Sequence, residues 1–242
     1  MIKALLFDLN GTVIDILTNE ADDNVFRTTA NFLSYFGVYI SKNELKEEFF
    51  NLNRKQRKSS REEFPEFDSA KIFEDIICHA AGELTGDIKE LSRTASRVFR
   101  AASRYKLELY DGVFETLLQL KHSYRMAAVS DGQSLWAVPE LTASGISDFF
   151  DFVLVSGDFG FRKPDKRIFD TAAEKTAVAR EEILFVGNDM YRDIYGAKKA
   201  GLKTVFFKSN QGEQRYCGAE PDYIIYEFPQ LVEAISFFER QS

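Results

Sequence analysis

Ala4-Leu5-Leu6-Phe7-Asp8-Leu9-Asn10-Gly11-Thr12, ALLFDLNGT, runs an unbroken apolar stretch straight into an acid, an amide and a glycine. Apolar residues in succession, with no polar alternation, predict a strand covered on both faces, as in parallel sheets. The run recurs at Met126–Val129, Phe152–Val155, Ile183–Val186, Thr204–Phe207 and Tyr223–Tyr226. Helix-length segments lie between these runs, at Gly112–Lys121, Leu135–Ser144, Lys166–Lys175 and Asp193–Ala200. Strand and helix in alternation predict the α/β class, a parallel sheet with helical crossovers.

From about Asp15 to Tyr105 the strand-like runs stop and apolar residues return at helical spacing. Val25, Phe26, Phe32, Leu33 and Phe36 form one stripe that stops at Gly37. Ser41 and Glu44 have capping-box spacing ahead of Leu45 and Phe49. Ile72, Phe73, Ile76, Ile77 and Ala80 form a stripe ended by Gly82, and Ile88, Leu91, Ala95, Val98 and Phe99 form the last. The expectation is a small all-helical cap domain, residues 16–105, inserted after the first strand of an α/β core made of residues 1–15 and 106–242.

Composition narrows the function. A net charge of -7 and a pI near 5.1 argue against nucleic acid as a partner and favour a small molecule. Cys78 and Cys217 are isolated, and with only His79 and His122 no zinc spacing exists, so both cysteines are expected as reduced thiols. The N-terminal apolar run is too short for a signal peptide, and no segment approaches the ~18 apolar residues of a membrane span. The expectation is a soluble cytoplasmic protein, monomer or homodimer, with no membrane contact.

Polar groups gather at the strand ends. Asp8 follows the first run, Ser130 and Asp131 follow MAAV, Asn188 and Asp189 follow ILFVG, and a loop after FVLV bears Lys163. In open parallel sheets the ligand crevice lies at the carboxyl ends of the strands, so these points can converge. The residue types suit phosphoryl transfer: a nucleophilic aspartate, a hydroxyl and an ammonium for the phosphoryl oxygens, and oxygen ligands for Mg²⁺. Gly11 and Thr12 fit a turn whose backbone N–H groups face an anion.

FDLNGT, VSDG, FRKPDKRIF and LFVGNDMYRDIYGAKKAG, in this order, make the chain resemble the haloacid dehalogenase superfamily of phosphohydrolases over its whole length. The resemblance implies a Rossmann-like, doubly wound parallel-sheet core with an inserted helical cap. It makes Asp8 the nucleophile that becomes an aspartyl-phosphate, Ser130 and Lys163 phosphoryl-binding, and the backbone carbonyl of residue 10 a Mg²⁺ ligand. Asn188 stands in the place of the first acid of the metal loop and Asp193 in that of the second, while Asp189 also fits a shorter-spaced version of that loop.

Two departures bear on chemistry. Asn10 cannot give or take a proton at neutral pH where the family pattern has an aspartate as general acid and base. A missing factor of about 10²–10⁴ leaves roughly 3–5 kcal/mol of barrier, so alkyl phosphates are expected to turn over slowly. Asn188 brings no charge, so weak Mg²⁺ binding is expected. The favoured reading is a Mg²⁺-dependent phosphatase of a small phosphorylated metabolite with a good leaving group. The alternatives are a phosphotransferase, an impaired binding or sensor protein, and a 2-haloacid dehalogenase, whose relatives carry an aromatic at position 10. Two further features are expected to be structural rather than functional. The basic run Arg54, Lys55, Arg57, Lys58 and Arg61 reads as a solvated helix face, and Trp136 as packing, although it stands close enough to Ser130 to reach a cleft.

Overall fold

A computed structural model of the chain describes residues 1–80 and 86–240. Six strands form one parallel sheet: β1 Ala4–Phe7, β4 Arg125–Ser130, β5 Phe152–Val155, β6 Ile183–Gly187, β7 Lys203–Phe207 and β8 Tyr223–Ile225. Their order is β5-β4-β1-β6-β7-β8. The continuous apolar runs are explained by cover on both faces. Leu5 and Phe7 pack with α5 (Val113–Leu120), α6 (Ser134–Ala143) and α9 (Leu231–Arg240). Ala4 and Leu6 face the opposite layer, α7 (Lys166–Thr176) and α8 (Gly196–Lys199). This is the doubly wound α/β class expected from the sequence.

Between β1 and α5 the described residues form four helices: α1 Asp23–Ser34, α2 Lys42–Ser59, α3 Ser69–Ala80 and α4 Ile88–Ser103. They share their own apolar cluster around Phe26, Phe49, Phe73 and Phe99. The capping box at Ser41 and Glu44 forms as the spacing predicts. Gly82, expected to end α3, lies outside the described residues.

The all-helical reading from about Asp15 to Tyr105 is corrected at both ends. β2, Ile14–Thr18, pairs antiparallel with β3, Arg104–Leu109, and this ribbon carries the chain into and out of the helices. Leu107 and Leu109 alternate with Lys106 and Glu108, the period of a strand, and the Lys106 ammonium holds Asp15 at 2.6 Å across the ribbon. The last helix before β7 also starts earlier than expected. A π-helical turn, Met190–Tyr195, precedes α8 because the Asp189 carboxylate accepts the N–H groups of Tyr191 and Arg192. Among the described residues no helix is long and apolar enough to cross a membrane.

Trp136 does not reach the cleft. It leaves α6 to enter the cluster of the four helices, and its Nε1–H donates to the carbonyl (3.1 Å) and hydroxyl (2.9 Å) oxygens of Ser96 on α4. Trp136→Ala is expected to lower stability by about 3–5 kcal/mol, read as a lowered midpoint in calorimetry or far-UV circular dichroism.

Candidate active site

The carboxyl ends of β1, β4 and β6 meet under the ribbon. A cavity of about 210 Å³ there is lined by Asp8, Asn10, Asp131, Lys163, Asn188 and Asp193, joined by Ile16, Thr18, Arg100, Arg192, Gln211 and Gly212. The register explains the convergence: Phe7 pairs with Ala128 on one side and Val186 on the other, so Asp8 emerges between the ends of β4 and β6.

At its floor the Lys163 ammonium donates to Asp8 Oδ1 at 2.6 Å, Asp193 Oδ1 at 2.7 Å and the Val129 carbonyl at 3.2 Å. Burial works against the ammonium, yet the carboxylates of Asp193, Asp8 and Asp131 outweigh it and hold its pKa well above the usual lysine range. Burial first, and then the charge of Asp8, push Asp193 up to about 6 against the pull of Lys163. The other Asp193 oxygen accepts the backbone N–H groups of Asn188 (3.1 Å) and Asp189 (3.0 Å), so this acid shapes the loop that carries it.

Thr12 is fully buried, its hydroxyl 3.0 Å from Asp8 Oδ2 and 3.1 Å from Asn188 Oδ1. A hydroxyl has one proton, and the charged oxygen of Asp8 takes it in preference to an amide oxygen. Asn188 Oδ1 is therefore an acceptor without that donor, adjacent to Asp8 Oδ2. Oxygen-only donors of this kind suit a hard cation such as Mg²⁺. Among the described residues no three His, Cys, Asp or Glu side chains converge to hold one, so a cation here would draw on Asp8 and the Asn188 amide, with the Asn10 carbonyl that the sequence reading names.

Four residues singled out in the sequence do not turn the expected groups to the cavity. Asp189 does not line the cavity: its oxygens accept the N–H groups of Tyr191, Arg192 and Glu213 and the Arg192 guanidinium. Despite burial, Arg192 and those backbone N–H groups hold Asp189 below the usual carboxylate range. The Gly11 and Thr12 N–H groups do not face an anion, because they donate to the carbonyls of Ile14 (2.8 Å) and Leu9 (3.2 Å). Gly11 instead serves close approach: its φ is +89°, and the Asn188 amide lies where a Cβ would stand. Ser130, 1% exposed, turns its hydroxyl to the Asp131 carbonyl at 3.3 Å rather than into the cavity.

Asp131 does line it. One oxygen accepts the Lys163 N–H at 3.0 Å, while the other is buried, has no hydrogen-bond partner and lies 3.8 Å from Arg192. Burial pushes this carboxyl up against the pull of Lys163 and Arg192. The loop bearing Ser130 and Asp131 is fixed from the helical side. Gly132 N–H donates to Ser156 Oγ at 2.9 Å, and Ser156 Oγ donates to Glu66 Oε2 at 2.8 Å. Gln133 accepts the Ser69 N–H at 3.1 Å and donates to the Phe67 carbonyl at 2.5 Å.

The sequence reading missed Arg100, Arg192 and Gln211. Arg192 lies inside the quoted metal loop, between Asp189 and Asp193. Arg100 is signalled by a polar stripe on α4, where Ser92, Ser96, Arg100 and Ser103 are buried beside Ala95 and Phe99. The basic run at residues 54–61 stays out of the cavity; Arg57 instead pairs with Glu66 at 3.4 Å and lies over the Phe67 ring.

The chain matches the model of the haloacid dehalogenase-like hydrolases over residues 5–207. It belongs to that family. A glyceraldehyde 3-phosphate phosphatase from Methanopyrus kandleri is 28% identical over 241 residues, with 97% of each chain covered. A relative of the same description from Pyrococcus furiosus is 37% identical over 129 residues; that match spans about half of both chains, 51% of this one and 53% of the other. The solved structure of a 2-haloacid dehalogenase from Pseudomonas syringae pv. tomato DC3000 superposes with a TM-score of 0.72 at 23% identity, covering 98% of this chain and 100% of that one. The last likeness shows the fold. As a haloacid dehalogenase-like hydrolase, the chain has its cavity at the carboxyl ends of the central strands, where open α/β sheets bind ligands.

Lys163→Met leaves Asp8 and Asp193 buried without their shared cation, which is expected to cost about 3–5 kcal/mol at pH 7.5. Asp193, pushed up to about 6 even with the cation present, then binds its proton more tightly still in the folded than in the unfolded chain. By linkage the variant loses stability as pH rises and recovers part of it on acidification towards pH ~5. Denaturant unfolding of both proteins across that range measures the gap.

Proposed function

We propose that the chain is a Mg²⁺-dependent phosphohydrolase that works through an aspartyl-phosphate on Asp8. Its substrates carry leaving groups that depart without a proton, small acyl phosphates above all. The observation that carries the reading is the Asp8 carboxylate, buried at the end of β1, held by Lys163 at 2.6 Å and opening on a cavity shared with Asn10. Relatives described as phosphatases support the phosphoryl chemistry.

Asp8, oriented by Lys163 and the Thr12 hydroxyl, attacks phosphorus while the bond from phosphorus to the leaving oxygen breaks. The electron pair leaves with that oxygen. A carboxylate leaving group needs no proton, so the amide at position 10 costs little there, whereas an alkoxide would need one. Water then attacks phosphorus, the bond to Asp8 breaks and phosphate departs, the proton of water passing to phosphate or solvent. Lys163 holds phosphoryl oxygens as its contact with Asp8 is replaced. Asp8, the Asn188 amide and the Asn10 carbonyl would hold Mg²⁺, which would supply neutralisation of the phosphoryl charge. Asn10 keeps the carbonyl and gives up the acid–base step.

Acetyl phosphate with Mg²⁺ is expected to release phosphate in the wild type and not in Asp8→Ala; equal release from the two proteins overturns the reading. Asn10→Asp is expected to raise turnover of an alkyl ester such as glycerol 3-phosphate by about 10²–10⁴-fold, with a much smaller gain on acetyl phosphate, measured as kcat on each.

A further inference from the structure

Each cation that lines the cavity is already flanked by two carboxylates. Lys163 lies between Asp8 and Asp193. Arg192 is 2.8 Å from Asp189 and 3.8 Å from Asp131. Arg100, reaching in from α4, donates through Nε to Glu140 Oε1 at 2.7 Å, through Nη2 to Glu140 Oε2 at 3.2 Å and through Nη1 to Glu20 at 3.2 Å. Arg104 also approaches Glu140, at 3.6 Å, so the formal charges of Arg100, Arg104, Glu140 and Glu20 cancel.

A guanidinium has five N–H donors in a fixed fork. The contacts of Arg100 use three, leaving one on each terminal nitrogen. The group is rigid: Arg100 is 9% exposed, gripped by a carboxylate from α6, and stacked 5.2 Å from the Trp136 ring. It is thus a fixed donor in a wall of the cavity that holds no uncommitted positive charge.

We propose that Arg100 reads the leaving group of the substrate, and that Glu140 and Glu20 make it a hydrogen-bond donor to an uncharged oxygen instead of a counter-ion for a second anion. This rests on the phosphatase reading, which makes the Asp8 end of the cavity the phosphoryl end. At about 210 Å³ the cavity is below the roughly 300–1,000 Å³ of pockets for drug-sized ligands. Ile16 is the one apolar side chain among its lining residues. The substrate class that fits is short and oxygen-rich, with the phosphoryl group as its only charge: a small acyl phosphate, or the phosphate of a small polyol or hydroxy-carbonyl compound. A carboxylate beside Arg100 would meet only cations that are each already flanked by two carboxylates, and like charges brought together out of water repel strongly.

Glycerol 3-phosphate and 3-phosphoglycerate test this, because they differ by a hydroxymethyl group against a carboxylate. Their dissociation constants are measured with Mg²⁺ by titration calorimetry on the wild type and on Glu20→Gln, whose side chain is 39% exposed. Glycerol 3-phosphate is expected to bind about tenfold or more tightly in the wild type, and Glu20→Gln, which leaves Arg100 with surplus charge, is expected to narrow that ratio several-fold. Equal or tighter binding of 3-phosphoglycerate, a ratio unmoved by Glu20→Gln, or binding of neither compound overturns the inference. Acetyl phosphate release run alongside separates the two readings. Asp8-dependent release with no discrimination sinks the Arg100 inference alone, whereas absence of Asp8-dependent release sinks the phosphatase reading and the leaving-group role of Arg100 with it.

Discussion

The Lys163 ammonium, placed between Asp8 and Asp193, is the contact on which the site depends. It draws together the end of β1, the loop beyond β6 and, through the Val129 carbonyl, the end of β4. The contacts then close a ring. Asp193 holds the backbone of Asn188, the Asn188 side chain meets Thr12, and Thr12 meets Asp8. Two carboxylates this deeply buried persist only because a cation satisfies both. The glycines belong to the same constraint: a Cβ at Gly187 would collide with the Asp193 side chain, and one at Gly11 with Asn188.

The sheet was legible because both its faces are covered, so each strand reads as an unbroken apolar run between turn residues. The ribbon was not. β2 and β3 are short and pair with each other from about ninety residues apart. The period-two signal of Leu107 and Leu109 spans too few residues to stand out beside the strong helical stripes that it borders. The last helical stripe was legible only in part. Val98 and Leu91, read as buried, are half-buried, while Ser92, Ser96 and Arg100 are inside. Hydrophobic periodicity finds the face that packs on apolar neighbours. It passes over a face whose buried polar groups are satisfied by a tryptophan N–H and a glutamate on another helix.

The motifs located the site residues more reliably than their directions. Asp8, Lys163, Asn188 and Asp193 converge, whereas neighbours one residue away turn elsewhere. Asp189 is the clearest case. As an acid adjacent to Asn188 it looked able to stand in for the missing charge, but its oxygens cap the π-helical turn through the N–H groups of Tyr191 and Arg192 and also accept the Glu213 N–H and the Arg192 guanidinium. Position along a loop cannot reveal which orphan N–H groups the fold leaves nearby. Arg100 was beyond a motif reading altogether, since its place at the cavity depends on how α4 crosses α6.

The two amides at positions 10 and 188 act in one direction. Each stands where an acid would add a negative charge next to Asp8, in a cavity whose three lining cations are each already flanked by two carboxylates. Had both been acids, the phosphoryl group would approach a deeper negative field, and a tightly held divalent cation would be needed to offset it. With amides, the oxygens that can face a cation remain while the field weakens, so under the proposed function the site would lean less on a metal and more on Lys163. The same exchange removes the proton donor at position 10. On the proposed function, a substrate that brings its own stable leaving group would suit both changes at once, and the neutralised guanidinium of Arg100 would offer such a group a hydrogen bond without adding charge.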